Sequence, residues 1–302
     1  MLASGPVRYS FLMPALSLSL LTILIWSTLT LLIWRVSHLP PFFSVGIALC
    51  VGGLVGLARV RDWKVPLATL ALGVGGIFGY HALLFTAVRL APPVEVNLLQ
   101  YLWPLLMVVL SPLYLPRTHL SGHHVLGAIL GLVGAGLVIS GGRFSLDLAS
   151  LPGYLLAVGA AFIWASFSLL IKRVRPFPTG AVGGFCLVSG LLSLGCYFIE
   201  DWAGPSSPPL VLVPLDWVFL VLLGLGPMGV AFYTWDAAMK RGDPRVIGAL
   251  AYLTPLLSTL NLVLLGGRRL SGVAIAAMGL IVIGAVTGSL DLYRRKSVAS
   301  RL

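Results

Sequence analysis

Apolar residues run along this chain in blocks of about 20, each closed by a cluster of turn-forming or charged residues, a pattern that predicts bilayer-crossing helices. The blocks fall at 11–34, 40–59, 66–88, 92–115, 122–141, 151–172, 179–199, 214–239, 244–265 and 270–290. Between them stand "RVSHLPP", "RVRDWKVP", "RLAPP", "PRTHLSGHH", "GGRFSLD", "KRVRPFP", "EDWAGPSSPP", "KRGDPR" and "GGRRLSG", where Gly, Pro and charge end a helix. Only the segment from Glu200 to Asp216 exceeds a turn. The expected fold is an all-α integral membrane protein of ten transmembrane helices.

Polar residues inside these blocks are few and ordered. In the fourth, Asn97, Gln100, Tyr101 and Pro104 follow an i, i+3, i+4, i+7 spacing and share one helix face, with Trp103 flanking it. Such a face is costly against lipid, so it lines a cavity or packs against another helix. Pro104 removes a backbone donor and frees the carbonyl near Gln100, and the kink this produces is the expected hinge. In the third block "GYHALLF" puts His81 and Phe85 on one face beside Tyr80; His81 reads as a packed, hydrogen-bonded residue or as a proton carrier, and either faces inward. In the eighth, Phe232, Trp235 and Asp236 stand at i, i+3 and i+4, and Asp236 lies one turn before Lys240, the spacing of an ion pair, with a role in transport coupling as the alternative. The glycines of "GAILGLVGAGLVISGG" in the fifth block form a small-residue packing surface.

The pattern is also written twice. Tyr101-Leu102-x-Pro104-Leu105-Leu106 returns as Tyr252-Leu253-x-Pro255-Leu256-Leu257, 151 residues later. "IWSTLTLLIWRV" at 25–36 matches "IWASFSLLIKRV" at 163–174 at seven of twelve positions, pairing Trp26 with Trp164. Those two indoles read equally as cavity walls and as packing wedges. Pro93 pairs with Pro244, and "GVGG" at 73–76 with "GLGP" at 224–227, in the same order. Two units follow, 1–145 and 146–302, each of five spans; because five is odd, the second enters from the opposite side, making an inverted repeat.

Charge then orients the bundle. The chain has 302 residues, 20 Lys and Arg against 9 Asp and Glu, and a net charge of +11. With ten spans, 15 of the basic residues fall on the side holding both termini and 5 on the other, which puts both termini in the cytoplasm of an inner-membrane protein. The basic balance is thus a topology signal and an attraction to anionic lipid, with no basic domain to grip nucleic acid. A hydrophobic share of 58%, 10% charged residues and a mean hydropathy of +1.01 exclude a soluble globular chain. No cleavable signal peptide is evident, since the first apolar run is too long. Cys50, Cys186 and Cys196 all lie in apolar runs, and no P-loop, HExxH, GxSxG or Cys/His metal spacing occurs, so neither an enzyme, a metal site nor a cofactor is expected.

A chain of this length with two five-helix units, a Trp in the first helix of each and a Pro after Tyr in the fourth resembles the drug/metabolite transporter (DMT) superfamily, EamA-like branch. "LLQYLWPLL", preceded by "PPVEVN", is similar to the "NYLWP" element of YddG-type bacterial aromatic amino-acid exporters, with Gln100 standing where that element has Asn. The resemblance implies an inner-membrane exporter of amino acids, aromatic ones foremost, working by alternating access; transport down the substrate gradient is expected from the residues, since Glu95 and Asp236 lie toward opposite span ends and no acidic residue stands at mid-span. Its partners are then the small-molecule substrate and the lipid bilayer. Carriage of other amphipathic metabolites or drugs is the alternative on the same fold; a channel or scaffold is the alternative of another class. The expected substrate-binding residues are Trp26, Tyr80, His81, Phe85, Gln100, Tyr101, Trp103, Trp164, Phe232, Trp235 and Tyr252, with Pro104 and Pro255 as hinges.

Overall fold

The structure, a computed structural model, describes residues 7–116, 118–143, 147–202, 210–266 and 272–290. The basic cluster after residue 290 and most of the connection after Trp202 lie outside the described residues.

Every regular element among the described residues is helical. The α-helices are α1 Val7–Ser27, α2 Leu29–Arg35, α3 Pro41–Leu54, α4 Leu67–Leu90, α5 Pro93–Gln100, α6 Trp103–Tyr114 and α7 Gly122–Ser140. They continue with α8 Leu151–Leu170, α9 Val182–Trp202, α10 Pro214–Leu225, α11 Ala231–Arg241, α12 Pro244–Ala251, α13 Leu253–Gly266 and α14 Gly272–Gly288. Local chemistry explains many of the ends. Pro41, Pro93, Pro214 and Pro244 open their helices, where the missing N–H is no loss and the fixed φ is already helical. Asp243 accepts from the Arg245 N–H at the start of α12, and Gly141 closes α7 at φ 60.

Seven helical stretches among the described residues are long and apolar enough to cross a membrane, from Pro14–Arg35 to Pro214–Arg241. The chain is therefore a multi-pass membrane protein. The span expected at 40–59 departs from its sequence reading: α3 stops at Leu54 and a 3₁₀ turn, Leu57–Trp63, leaves at 89°. The run "VGGLVG" supplies the reason. A side chain at Gly52 would reach within 2.4 Å of the Met228 carbonyl oxygen, so this end of α3 is pressed against the backbone of another helix and the chain turns away. Of the last block, the described residues form the 17-residue helix α14.

Two spans are interrupted at repeat-equivalent places, α5–α6 at Tyr101 and α12–α13 at Tyr252. Pro104 and Pro255, three residues on, cannot donate to the carbonyls of Gln100 and Ala251, so the helical ladder fails there. The first break is braced from elsewhere in the chain. The Tyr252 phenol donates to the Tyr101 carbonyl at 3.2 Å and accepts from the Leu105 N–H at 3.2 Å, bridging by side chain the backbone pair just after the proline gap.

The long helices pair across the two halves of the sequence. α1 runs along α11, α3 along α9, α4 along α8 and α7 along α14. Glycines set the closest of these approaches: a Cβ on Gly127 would lie 2.4 Å from the backbone nitrogen of Gly288.

Candidate functional site

The packed helices enclose a cavity of about 710 Å³, bounded by α1, α2, α3, α4, α5, α6, α8, α10, the π turn Gly226–Val230, α11 and α13. Its floor is aromatic. Trp26 on α1 sits at the centre, with ring centroids 6.2 Å from Trp103 on α6, 5.9 Å from Trp164 on α8 and 6.4 Å from Phe232 on α11. These are edge-to-face contacts, the arrangement in which ring quadrupoles attract. The Trp26 indole N–H donates to the Pro227 carbonyl at 3.1 Å, inside the π turn whose altered ladder leaves backbone exposed to the interior.

The walls carry the hydrogen-bonding groups. The Tyr80 phenol donates to Gln100 Oε1 at 2.9 Å, tying α4 to α5. His81 Nδ1 lies 2.7 Å from the Ile77 carbonyl oxygen, which can only accept, so the neutral ring carries its proton on Nδ1 and keeps Nε2 as an acceptor. Phe85 stands 5.9 Å from the His81 ring and 5.8 Å from Phe42. Asn97 and Tyr101 complete the α5 face.

The cavity has one open and one closed end. Ile33, Trp34, Ser37, Pro93 and Asn97 line it and are exposed, marking a mouth between the α2–α3 and α4–α5 connections. Beyond the floor, at the far ends of α8 and α11, the structure is sealed by charge. Lys172 Nζ donates to the carbonyls of Met239 at 2.6 Å and Gly242 at 2.9 Å, neutralising the negative end of α11. Lys240 pairs with Asp236 at 2.6 Å and donates to the Phe177 carbonyl at 2.9 Å, while Thr179 donates to Asp236 at 2.6 Å. Next to this seal, burial pushes the Asp243 carboxyl up but contacts to the Arg245 guanidinium outweigh it, and the group ends below the usual carboxylate range.

Nine of the eleven residues expected at the site line this cavity: Trp26, Tyr80, His81, Phe85, Gln100, Tyr101, Trp103, Trp164 and Phe232. The other two lie elsewhere. Trp235 is fully buried under the floor, 5.0 Å from Trp26, with its indole N–H on Ser168 Oγ at 3.0 Å. Tyr252 is 0% exposed and is engaged by the α5–α6 break. Ser44, Thr254, Ser258 and Thr30 also line the cavity and were not singled out by sequence. A signal for part of this existed: Thr254, Ser258 and Asn261 stand at i, i+4 and i+7 on one face of a largely apolar helix.

The profile of the EamA-like transporter family matches residues 13–140 and 151–289, nearly the whole chain in two passes. The chain belongs to the EamA-like transporter family. One relative in that family is the aromatic amino acid exporter YddG of Ancylobacter novellus, 41% identical over 282 residues that cover 90% of this chain and 96% of the relative. A probable amino-acid metabolite efflux pump of Salmonella typhimurium is 24% identical over 88% of this chain and 92% of its own length. A crystal structure at 41% identity superposes with a TM-score of 0.84, covering 91% of this chain and 97% of that one. In this EamA-like transporter the cavity sits between helices drawn from both profile matches, α1 to α6 from the first and α8, α10, α11 and α13 from the second. Of the carboxylates, Glu95 is buried on α5 and Asp236 belongs to the seal, and neither lines the cavity.

Proposed function

We propose that this chain exports amino acids, aromatic ones among them, across the inner membrane by alternating access. The observation that carries the reading is the cavity: its volume of about 710 Å³ falls inside the range of roughly 300–1,000 Å³ typical of small-molecule sites. Its floor of three indoles and a phenyl ring offers edge and face contacts to a flat apolar side chain, and its walls offer neutral donors and acceptors to the polar end. The relatives named as an aromatic amino acid exporter and as an amino-acid metabolite efflux pump support the same cargo.

Ten transmembrane helices in two inverted five-helix units, 1–145 and 146–302, form the proposed frame. α5–α6 and α12–α13 then each count as one broken span, and α3 and α14 complete the set. Helix pairing supports this. If the first five spans are exchanged for the second five, the pair α1 with α11 turns into the pair α8 with α4, and both occur. Both termini are cytoplasmic in this frame, from the charge asymmetry, so the sealed end with Lys172 and Lys240 is cytoplasmic and the cavity faces outward. Breaks at Tyr101 and Tyr252, with Pro104 and Pro255 beside them, are the proposed hinges.

Transport is proposed to be facilitated. Among the described lining residues none is Asp, Glu, Lys or Arg, and His81 spends its proton on Ile77, which suits a hydrogen-bonding wall. Counterflow of labelled tryptophan in proteoliposomes tests the reading. Saturable exchange supports a carrier; uptake without counterflow indicates a channel, and no movement of any amino acid overturns the proposal.

A further inference from the structure

Most polar groups around the cavity are already engaged by the protein. Tyr80 is bonded to Gln100, Trp26 to Pro227, His81 to Ile77, and Ser258 donates to Thr30 at 3.0 Å. Two hydroxyls are different. Ser44 Oγ and Thr254 Oγ1 have no hydrogen-bond partner, although the residues are only 8% and 7% exposed and both line the cavity. A buried hydroxyl left unmet is costly, and a ligand group is a natural partner for it.

Thr254 also has a distinctive place. It is the second residue of α13, a 14-residue helix that starts at the Tyr252 break, where Pro255 interrupts the helical ladder. Along the same helix face Ser258 is satisfied by Thr30 and Asn261 by Ser27, which leaves Thr254 as the unsatisfied member of that stripe. In the repeat, Thr254 occupies the position of Trp103, 151 residues earlier. One half therefore contributes a ring to the floor where the other contributes a hydroxyl at a helix N-terminus. Broken helices present anionic groups of transported substrates with such ends.

We propose that Thr254, at the N-terminus of α13, together with Ser44 of α3, forms the polar subsite of the cavity and takes the carboxylate of the cargo. The assignment rests on the exporter reading and deepens it: a molecule with a carboxylate beside its aromatic ring is preferred over the same ring without one. Both hydroxyls donate to the carboxylate, and the ring lies toward Trp26, Trp103 and Trp164.

The test is tryptophan counterflow, with unlabelled tryptophan and tryptamine, which lacks the carboxylate, as competitors. In Thr254→Val the half-inhibiting concentration of tryptophan should rise by about tenfold, the loss of one hydrogen bond to a charged group, while that of tryptamine stays within about twofold. Thr254→Ser, which keeps the hydroxyl, should behave as the wild type. Ser44→Ala should move in the same direction as Thr254→Val. Equal weakening of both competitors, no change for either, or loss in Thr254→Ser as well, overturns the subsite while leaving the exporter reading intact. A wild-type protein that shows no amino-acid counterflow overturns both.

Discussion

Tyr252→Phe removes one oxygen atom and tests how the broken span is held. That hydroxyl makes two contacts at 3.2 Å, donating to the Tyr101 carbonyl and accepting from the Leu105 N–H, so the variant leaves one backbone acceptor and one backbone donor unmet where the phenol is 0% exposed. Each lost bond is worth about 0.5–1.5 kcal/mol net, so losing both destabilises this conformation by about 1–3 kcal/mol. If the bridge belongs to the outward-open state, that energy shifts the outward population by roughly 5- to 150-fold. The assay is the labelling rate of Asn97→Cys, a position exposed within the cavity, by a membrane-impermeant thiol reagent after Cys50, Cys186 and Cys196 are replaced. The rate should fall by at least fivefold in Tyr252→Phe, within the range above. A lower melting temperature with an unchanged labelling rate would refute the reasoning, because it would mean the bridge braces every state equally.

Three further outcomes follow from the same geometry. Gly131→Ala would place a Cβ 2.3 Å from Cδ2 of the Tyr252 ring, so the ring must shift and the bridge must loosen; the variant should copy the labelling defect of Tyr252→Phe at a cost of about 1–3 kcal/mol, whereas Gly136→Ala, whose nearest neighbour is Leu98 at 3.5 Å, should not. Gln100→Ala removes the acceptor of the Tyr80 phenol and should raise the half-saturation for tryptophan by about five- to tenfold at unchanged expression, and Trp103→Ala should abolish counterflow; normal transport by both would reassign the α5–α6 face to packing. His81→Gln should retain measurable exchange, and a pH gradient imposed at equal substrate should drive no accumulation; uphill accumulation lost in His81→Gln would make His81 the proton carrier.

The multi-pass, all-helical character, the doubled sequence pattern and the polar face of the fourth span were legible in the chain itself. Their causes are local: about 20 apolar residues satisfy a bilayer, Gly and Pro end helices, and i, i+3, i+4, i+7 spacing puts Asn97, Gln100, Tyr101 and Pro104 on one face whatever surrounds them. The Asp236–Lys240 pair follows from one-turn spacing in the same way. Tertiary structure alone decided which neighbour each face meets. Periodicity gives the relative phase of residues on a helix, but where nearly every face is apolar it does not say which way the helix is turned. Trp235 and Phe232 share a stripe on α11, yet Phe232 lines the cavity and Trp235 lies beneath it on Ser168. Tyr101 and Tyr252 are equivalent in the repeat, yet one lines the cavity and the other spends its phenol bracing a helix break 151 residues away. The identities of Ser44 and Thr254 are plain in the sequence, but that they are buried without a partner is a property of the packed bundle. It depends on which groups arrive from α1, α2 and α13, and in a chain with so few polar side chains, each such arrival or absence changes what the cavity can hold.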